Sequence, residues 1–571
     1  MGVERITAHG RKLSGVEHIK EESRLLRGGI AAELASDSTH FAESDTQLLK
    51  VHGTYQQYDR DDATARKQAG IEKDYRLMVR VKIPGGRLTA EQYLGLDALA
   101  DRFGNGTLRI TTRQGIQFHG VLKGDLKPAI KAINDGLMTT LAACGDVVRN
   151  VMSTPAPIRD AVHARLEADA KMLSERLAPK SRAYHEIWLD GEPTGEPESE
   201  PLYGATYLPR KFKIAIGTPL DNSVDVLTND LGIIALFAGQ TLIGYNLAVG
   251  GGLGITHNKP KTYPRLASPV VFVEPDDFVA AVEAVITLQR DHGDRSDRKH
   301  ARLKYLVDER GLPWVKAEIE RRVGKALADP RPMPPFEIVD HLGWHEQGDG
   351  NWYLGVPVPS GRVLDGDATR LRSVLRQVIG EYAIDPVLTP SQDILLSNIR
   401  TADKSAIEAT LRAAGVVLAS EIAPVQRWAL ACPALPTCGL ALAEAERIRE
   451  PLIDAIAAAL ARHGLGQERL SVRITGCPNG CARPYAGDIG IVGRMPGHYA
   501  LFVGGDFEGT RLNFRLLDRV AEADLPARLE VLFAHFAAHR GAGEGFGDFC
   551  NRLVYIFMFR IAQTIDKIKD K

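Results

Sequence analysis

An internal repeat constrains the fold of this chain of 571 residues more than any other feature. The motif Pro-Gly-Gly-Arg-Leu at residues 84–88 has a counterpart, Pro-Ser-Gly-Arg-Val, at residues 359–363. Residues 246–252 and 499–505 form a second pair, and both contain Val-Gly-Gly. The first pair is separated by about 275 residues, which is far too long a period for a solenoid. We therefore predict a duplicated chain, with chance recurrence of short motifs as the alternative.

Each copy of the first motif lies between a strand-like segment and a helix-like segment. Residues 78–83 alternate apolar and basic side chains, as a half-buried strand does, and helical spacing follows over residues 90–103. Residues 352–358 and 368–380 repeat this order in the second copy. Each half is thus predicted to be a strand–helix–strand unit followed by a larger α/β unit.

The N-terminal segment, residues 1–75, has a different character. It is polar and is broken by Gly28-Gly29 and by the charged run at residues 59–62. This pattern predicts an extended arm rather than a packed domain. The first residues are charged and lack the apolar core of a signal peptide.

Composition excludes several function classes. The 71 Lys and Arg residues balance the 72 Asp and Glu residues, so no global positive charge exists to hold nucleic acid or an anionic membrane. No apolar run reaches the roughly 18 residues of a membrane span. Six cysteines are too sparse for a disulfide scaffold. We expect a soluble protein of a reducing compartment, in which any basic site is local.

Four cysteines lie within fifty residues, as Cys432-x5-Cys438 and Cys477-x3-Cys481. Two clipped pairs separated by a helix-sized insert, here residues 441–463, are typical of a metal site. Structural zinc usually takes pairs about two to four residues apart, whereas iron–sulfur clusters also take four thiolates. The spacing favours a cluster, with zinc and packed free thiols as the alternatives.

The residues between the last two cysteines fit a metal loop. Asn479 and Gly480 tolerate positive φ, so the backbone there can curve and direct N–H groups at sulfur. The two remaining cysteines, Cys144 and Cys550, lie far away in the sequence, and we predict that both are buried small side chains.

Several motifs resemble one family. Cys-Pro-Ala-Leu-Pro-Thr-Cys at 432–438 and Thr-Gly-Cys-Pro-Asn-Gly-Cys-Ala-Arg-Pro at 475–484 resemble the cysteine motifs of sirohaem-dependent sulfite and nitrite reductases. Arg-Ile-Thr-Thr-Arg-Gln-Gly-Ile-Gln-Phe-His at 109–119 resembles the haem-contacting strand of that family, and Tyr-Leu-Pro-Arg-Lys-Phe-Lys at 207–213 resembles its sulfite-binding segment. The resemblance spans nearly the whole chain and includes the duplication.

The resemblance implies an α/β (α+β) fold with three domains in a pseudo-twofold arrangement. It combines ferredoxin-like half-domains with two larger α/β cofactor-binding domains. The implied boundaries are 1–75 for an N-terminal, partner-binding arm, 76–145 and 346–422 for the paired half-domains, 146–345 for the substrate and sirohaem domain, and 423–571 for the cluster and sirohaem domain.

The resemblance also implies two prosthetic groups. A 4Fe-4S cluster would be held by Cys432, Cys438, Cys477 and Cys481, and sirohaem iron would be bound axially through Cys481. The residues that match the haem-contacting strand are Arg109, Arg113, Gln117 and His119. Even spacing predicts that the first three share one face of a strand. By itself, His119 is equally compatible with a packed or hydrogen-bonding structural role.

The implied sulfite site contains cations, because a small oxyanion needs donors that bind it and supply protons. The matching residues are Arg80, Arg149, Lys211 and Lys213. Lys211 and Lys213 are two apart and should share one side of a strand, with Phe212 facing the core. Arginine is always protonated and suits clamping, whereas lysine can release a proton. An exposed strand for Arg80 and a solvated edge for the lysines are the structural alternatives.

The implied activity is six-electron reduction of sulfite to sulfide for cysteine biosynthesis, in the cytoplasm. Segments 22–28 and 51–57 resemble the haemoprotein subunit of the NADPH-dependent branch. The chain lacks a convincing nucleotide fingerprint. Its glycine-rich run at 250–254 is followed by Ile255, which occupies the sixth position of the G-x-G-x-x-G motif, where glycine is needed. NADPH, FAD and FMN should therefore reside on a flavoprotein partner subunit, and neither nucleic acid nor a membrane is expected as partner.

Two other functions remain open from the sequence. One is a ferredoxin-dependent sulfite reductase or a nitrite reductase with the same cofactors. The other is a zinc-stapled protein that binds nucleic acid, to which Arg473, Arg483 and Arg494 would contribute local positive charge. Aromatic residues make up only 6% of the chain, and the first cysteine spacing is long for a zinc clip, so the second alternative is disfavoured.

Overall fold

A computed structural model describes residues 12–192 and 198–554, and these divide into two units. Unit 1 comprises residues up to 252 together with 267–420, and unit 2 comprises residues 253–266 together with those from 421 onward. Each unit has its own hydrophobic core. None of the described helices is long and apolar enough to cross a membrane.

The secondary structure mixes helices and strands throughout. The strands are β1 (Thr54–Tyr58), β2 (Tyr75–Val81), β3 (Leu108–Ile110), β4 (Ile116–Val121), β5 (Met152–Ser153), β6 (Ile214–Gly217), β7 (Leu231–Ala238), β8 (Thr241–Val249), β9 (Ser268–Val273), β10 (Gly343–Glu346), β11 (Trp352–Val356), β12 (Arg362–Val363), β13 (Pro386–Leu388), β14 (Ile394–Ile399), β15 (Ala429–Ala431), β16 (Val472–Thr475), β17 (Ile489–Met495), β18 (His498–Val503) and β19 (Phe514–Ala521). The helices are α1 (Gly15–Glu22), α2 (Ile30–Leu34), α3 (Glu43–Leu49), α4 (Ala63–Gln68), α5 (Ala90–Phe103), α6 (Lys123–Asp135), α7 (Ala161–Arg176), α8 (Ala183–Trp188), α9 (Phe278–His292), α10 (Leu303–Arg310), α11 (Leu312–Val323), α12 (Leu371–Tyr382), α13 (Lys404–Ala413), α14 (Pro424–Arg427), α15 (Glu446–Arg462) and α16 (Leu525–His539).

The sheets confirm the predicted duplication. Unit 1 contains the sheet β5-β6-β7-β8-β9 and unit 2 contains β15-β16-β17-β18-β19. In both sheets the first three strands are parallel and the last two pair antiparallel. The remaining sheets of unit 1, β1-β2-β4-β3-β12 and β10-β11-β14-β13, each contain one β-α-β-β-α repeat. The fold is therefore α/β, as predicted. It contains two copies of the β-α-β-β-α repeat and two copies of the five-stranded mixed sheet.

The repeated Pro-x-Gly-Arg motifs form equivalent turns. Gly85 and Ser360 both adopt left-handed φ, +59° and +55° respectively. A Cβ on Gly86 would lie 2.3 Å from the Leu388 carbonyl oxygen, and one on Gly361 would lie 2.1 Å from that of Ile110. Each turn thus packs against a strand of the other repeat, so glycine is required at the point where the two backbones approach.

Helix α5 illustrates how local signals determine an element. Thr89 caps its first turn and forms a capping box with Gln92. Tyr93, Leu96 and Ala100 are fully buried along one face. The helix therefore begins and ends at the residues that the helical spacing predicts.

The prediction of an extended N-terminal arm is wrong for the described part of that segment. Strand β1 pairs with β2 in antiparallel register, and Leu26, Ile30 and Phe41 are at most 2% exposed in the core of unit 1. The apolar residues here follow no period, because distant segments rather than neighbouring turns cover them. The Nε1–H of Trp188, for example, donates to Nδ1 of His52 at 3.0 Å. Residues 1–11 lie outside the described residues.

The prediction that Arg109, Arg113 and Gln117 share one strand is also wrong. β3 ends at Ile110, and the N–H of Thr111 donates to the carbonyl of Gly115 at 2.9 Å, which closes a hairpin turn. Arg113 lies in this turn, whereas Gln117 lies on the returning strand β4. Because Arg109 and Gln117 are direct cross-strand partners, they are neighbours through pairing rather than through even spacing.

An ionic network joins the helices that the two half-domain repeats contribute. Asp97 on α5 is 1% exposed and accepts from Nε of Arg372 on α12 at 2.6 Å. Arg376, one turn further on α12, also contacts Asp97, and Nη1 of Arg372 contacts Asp101 at 2.5 Å. The carboxylate of Asp97 thus receives two guanidinium groups in a buried position.

Replacement of this carboxylate should destabilise unit 1. Asp97→Asn would leave the guanidinium of Arg372, which is 7% exposed, without its buried counter-charge. We expect a loss of about 3 kcal/mol, seen as a lower midpoint of the unit 1 transition in calorimetry. The control Asp135→Asn removes a partner of Lys131 where both side chains are more than half exposed, so it should cost at most about 1 kcal/mol. Equal midpoints for the two variants would contradict this expectation.

Candidate functional site

The four clustered cysteines lie at one edge of the unit 2 sheet. Cys432 directly follows β15, and Cys477 and Cys481 lie on the loop after β16. β15 and β16 are parallel, so their carboxyl ends lie side by side and bring the two cysteine motifs together. The helix between the motifs, α15, begins at Glu446, five residues later than predicted, and ends one residue earlier.

The thiols are close enough to perturb one another. Burial holds the pKa of Cys432 well above its usual value, and the nearby Cys481, Cys477 and Cys438 raise it further. Burial and then Cys481 raise the pKa of Cys477 to about 12. Four converging thiols of this kind are stable as thiolates only when cations bind them.

Backbone donors are already directed at the sulfurs. The N–H of Gly476 donates to Sγ of Cys432 at 3.3 Å, and Asn479 donates to Cys477. A Cβ on Gly476 would lie 2.4 Å from the Ala443 carbonyl oxygen, so only glycine allows this approach. Such N–H donors stabilise the thiolate sulfurs of iron–sulfur clusters. The donor set, four thiols with amide bonds to sulfur, therefore fits a 4Fe-4S cluster.

Two further observations describe this centre. Among the described residues, no three His, Cys, Asp or Glu side chains converge as ligands of one metal ion. A 4Fe-4S cluster would be held by the four cysteines with one thiolate for each iron, so its binding would not require three side chains at a single metal ion. Cys432 and Cys477 are buried, Cys438 is half-buried and Cys481 is exposed, so Cys481 is accessible to a second group.

The other two cysteines are buried, as predicted. Cys550 is 4% exposed in the core of unit 2, where burial raises its pKa to about 12. Cys144 in unit 1 is fully buried, but it also accepts a hydrogen bond from Nη1 of Arg80 at 3.0 Å. It therefore belongs to the basic site described next rather than to the apolar core alone.

A row of basic side chains crosses the sheet β1-β2-β4-β3-β12 of unit 1. Arg80 on β2 pairs with Gln117 on β4, Gln117 pairs with Arg109 on β3, and Arg109 pairs with Arg362 on β12. Direct cross-strand partners share one face of a sheet, and like charges there are destabilising. Three guanidinium groups in one row are therefore suited to a ligand with several negative charges.

His119 adds an unsatisfied polar group to this row. It lies two residues after Gln117, hence on the same face, and is 2% exposed. Neither ring nitrogen has a hydrogen-bond partner in the described chain. Burial, and then Arg362, Arg109 and Arg80, hold its pKa well below the usual value. A neutral, buried histidine without a partner, beside a row of cations, fits an anionic macrocycle such as sirohaem with its carboxylates.

Tyr55 brings the two predicted arginines of the substrate site together. Cζ of Arg80 lies 5.9 Å from the centre of the Tyr55 ring, and Arg149 forms a hydrogen bond with Tyr55. Burial lowers the pKa of Arg149, but Tyr55 and Cys144 more than offset this, so its pKa is raised. Arg149 is 6% exposed, and its Nε donates to the carbonyl of Gly145 at 2.8 Å. Its guanidinium is therefore permanently charged and firmly held.

The predicted lysine pair lies beside Arg149. The N–H of Arg149 donates to the carbonyl of Phe212 at 2.8 Å, so the two segments run side by side. Phe212 is fully buried, as predicted, and Lys211 and Lys213 flank it half-buried. Burial, and then Arg210, Lys213, Arg302 and Arg149, hold the pKa of Lys211 well below its usual value. Burial and this crowding of cations together favour the neutral amine, which makes Lys211 able to exchange a proton.

Asp230 fixes the backbone that carries the lysines. Its Oδ2 accepts from the N–H of Lys213 at 2.9 Å and from Nη2 of Arg302 at 2.8 Å. The side chain of Asp230 is fully buried. The same construction recurs in unit 2, where Asp488 accepts from the N–H of Ser471 at 2.9 Å. A buried carboxylate thus anchors the start of β6 and of β16.

Arg113 contacts the protein itself. Nη1 donates to Oδ1 of Asn229 at 2.9 Å, and Nη2 donates to the carbonyls of Asn150 and Ile214 at 2.6 and 3.1 Å. Through these bonds the hairpin tip is tied to the segment that follows Lys213. Its predicted role toward a cofactor stays a prediction.

Arg362 and Tyr55 are absent from the residues predicted for the site. The repeat contained a signal for Arg362, because it occupies the same place in the second Pro-x-Gly-Arg motif as Arg87 does in the first. No local signal identifies Tyr55, which reaches the site only because β1 pairs with β2.

Two family models match the chain. One, described as the nitrite/sulfite reductase ferredoxin-like half domain, matches residues 70–136 and 345–414. The other, described as the nitrite and sulphite reductase 4Fe-4S domain, matches residues 168–327. This last range contains none of the six cysteines and corresponds to β6–β9, so it identifies the first copy of the duplicated sheet.

The chain also has relatives of known name. It is 47% identical to sulfite reductase (ferredoxin) of Synechococcus elongatus, covering 96% of this chain and 90% of that protein. It is 47% identical to the sulfite reductase (NADPH) hemoprotein beta-component of Myxococcus xanthus, covering 96% and 97% respectively. Among solved structures, the NirA protein of Mycobacterium tuberculosis matches with a TM-score of 0.78 at 24% identity, over 95% of this chain and 96% of that chain, which shows a shared fold.

Proposed function

The chain belongs to the nitrite and sulfite reductase family, and from that premise we propose that it reduces sulfite to sulfide with six electrons. The observation that carries this proposal is the convergence of Arg149, Lys211 and Lys213 in unit 1. Sulfite is a small anion whose oxygens leave as water. Its reduction therefore needs both fixed positive charge and a supply of protons at one place.

We propose that the cysteines hold a 4Fe-4S cluster and that Cys481 also binds sirohaem iron. The fully or partly buried thiols Cys432, Cys438 and Cys477 would bind cluster iron alone, whereas the exposed Cys481 is accessible to both groups. Arg109, Gln117 and His119, with Arg362, would donate to carboxylates of the macrocycle. When bound, the two groups supply electrons one at a time at a single iron.

The two kinds of cation serve different purposes. Arg80 and Arg149 would clamp sulfite oxygens with planar guanidinium groups that stay protonated at every physiological pH. Lys211 and Lys213 would deliver protons to departing oxygens, and for Lys211 burial and the surrounding cations favour release of the proton by lowering its pKa. Formation of three waters from one sulfite consumes six protons, so each donor has to be reprotonated from solvent during turnover.

We propose that the electrons come from an NADPH-oxidising flavoprotein subunit carrying FAD and FMN, in the cytoplasm, for cysteine biosynthesis. The resemblance of segments 22–28 and 51–57 to the NADPH-dependent branch supports this donor. The relative from Synechococcus elongatus is named for ferredoxin, which makes ferredoxin the second candidate. Turnover with each purified donor under equal reducing power distinguishes the two.

The test of the substrate is dye-driven turnover of the purified chain on sulfite and nitrite in parallel. We expect sulfide from sulfite with a higher kcat/KM than ammonia from nitrite. Sulfite has three oxygens and two charges, so it would engage the four basic side chains more fully than nitrite, which has two oxygens and one charge. A preference for nitrite would move the chain to the other branch of the family and contradict the proposed substrate.

A further inference from the structure

We propose that Lys50 and Arg210 form an outer anion-binding subsite, which captures sulfite from solvent and passes it inward to Arg149. This inference rests on the proposed function for the identity of the anion. The subsite itself is independent of that function, because it would bind any small oxyanion with two negative charges. Neither residue is among those that the sequence predicts for the site.

Lys50 lies near the ring of Tyr55, the residue that contacts both Arg80 and Arg149. It follows α3 as its C-cap residue, and its Nζ lies 5.9 Å from the centre of the Tyr55 ring. The Cζ of Arg80 is at the same distance from that ring, and Arg149 bonds to its hydroxyl. Its Nζ donates to Oε1 of Gln47, a neutral amide, at 2.6 Å, and no carboxylate of the described residues forms an ion pair with it.

Arg210 reaches the same place from the lysine segment. It immediately precedes Lys211, and its side chain is 31% exposed. Its Nη1 lies 4.0 Å from Oδ1 of Asp146, which is the limit of an ion pair. Arg298, by contrast, holds both oxygens of Asp146, at 2.7 and 3.1 Å. The carboxylate nearest to Arg210 is therefore already neutralised by another guanidinium.

The charges that face Lys50 are strongly unbalanced. The groups that act most strongly on it are the cations Arg298, Arg210 and Arg149 and the carboxylate Asp146. Lys20 approaches Asp146 as well, with Nζ 3.8 Å from Oδ2, and a second carboxylate, Glu17, is held by Lys20 and Arg295. Burial and then Arg298 lower the pKa of Lys50 to about 8, and burial and then Arg298 lower that of Arg210 to about 10. A bound dianion would relieve this repulsion, which gives the pair a reason to attract one.

Exposure orders these cations from outside to inside. Arg210 and Lys50 are each partly exposed, whereas Arg149 is 6% exposed. An anion arriving from solvent therefore meets Lys50 and Arg210 first. A cluster of one sign with low-dielectric walls concentrates counter-ions and raises their association rate, and this effect weakens as salt increases. The subsite should thus act on capture and not on chemistry.

The experiment uses the full chain with its prosthetic groups, with Lys50→Met and Arg210→Gln compared with the wild type. Lys131→Met is the matched control, because Lys131 lies on α6 with a 52% exposed side chain and forms its ion pair with the similarly exposed Asp135, away from the basic site. Dye-driven kcat and KM for sulfite are measured at low and high ionic strength. We expect Lys50→Met to lower kcat/KM roughly three- to tenfold at low salt with kcat unchanged, and to flatten its salt dependence.

A second measurement does not depend on turnover. Inorganic sulfate should raise the thermal midpoint of the wild type by mass action, and clearly less in Lys50→Met and Arg210→Gln. Unchanged KM, salt dependence and sulfate protection in both variants would overturn the subsite, as would a fall in kcat without a change in KM. Absence of sulfite turnover in the wild type with sulfate protection intact would instead overturn the proposed substrate and leave the subsite standing.

Discussion

Cys477→Ser is expected to abolish the cluster and, with it, dye-driven turnover. Sγ of Cys477 lies among three other thiols and accepts backbone donors, so a serine oxygen would replace a soft ligand with a hard one. Iron and acid-labile sulfide per chain should fall close to zero, and turnover should fall roughly a hundredfold or more. Visible absorption and metal analysis measure the first effect independently of activity.

Cys550→Ser is the matched control for this prediction. Both thiols are buried in unit 2, Cys477 at 7% and Cys550 at 4% exposure, so both substitutions place a hydroxyl in a buried position. Cys550 packs in the core and should lose only stability, about 1–3 kcal/mol, while the iron content stays at the wild-type level. Equal iron loss in the two variants would show that iron content depends on the stability of unit 2 and not on Cys477 as a ligand. Retention of full iron in Cys477→Ser would refute the ligand assignment.

The parts of the fold that the sequence predicts are those with local signals. Helix α5 has a capping box and a buried stripe, and the repeated turns depend on two residues with left-handed φ. Such features depend on neighbouring residues and are visible in a single sequence. The duplication can be predicted from the same turns, because each repeat contains its own copy of the Pro-x-Gly-Arg motif.

The parts that the sequence misses depend on long-range pairing. The apolar residues of the N-terminal segment have no period, since remote segments cover them, and Tyr55 joins the site through β1. Arg109 and Gln117 are neighbours because a hairpin pairs them, which even spacing along one strand does not describe. The cysteines can be identified from the sequence because an iron–sulfur cluster takes four thiolates. Their proximity in the fold, however, depends on the parallel pairing of β15 and β16.

The packed N-terminal segment changes how partner binding can be tested. Removal of residues 1–60 would delete β1 from its sheet and remove Leu26 and Ile30 from the core of unit 1, so misfolding as well as lost partner binding would abolish NADPH-driven turnover. Single substitutions at exposed positions of the segment keep the fold intact. Partner binding by this segment stays a prediction that such variants can address.

Lys211→Met should separate catalysis from stability. We expect kcat for sulfite to fall about a hundredfold, the usual contribution of a positioned proton donor, while KM rises much less because Arg80 and Arg149 still clamp the anion. Lys213→Met should likewise slow sulfide production more than it weakens anion binding. Lys211→Arg keeps the charge but releases no proton, so it should restore KM and leave kcat low.

Lys211→Met should also be more stable than the wild type, and the size of this stabilisation should depend on pH. The pKa of Lys211 is lower in the folded chain than in the unfolded chain, so folding is penalised by its charge below the folded value. As pH rises from that value toward the ordinary lysine pKa, the folded state loses its proton first and the penalty disappears. The gain in thermal midpoint of Lys211→Met should therefore be largest at low pH and shrink as pH rises. A variant that keeps wild-type kcat, or one that is less stable at every pH, would refute the idea that crowded cations make this lysine a proton donor.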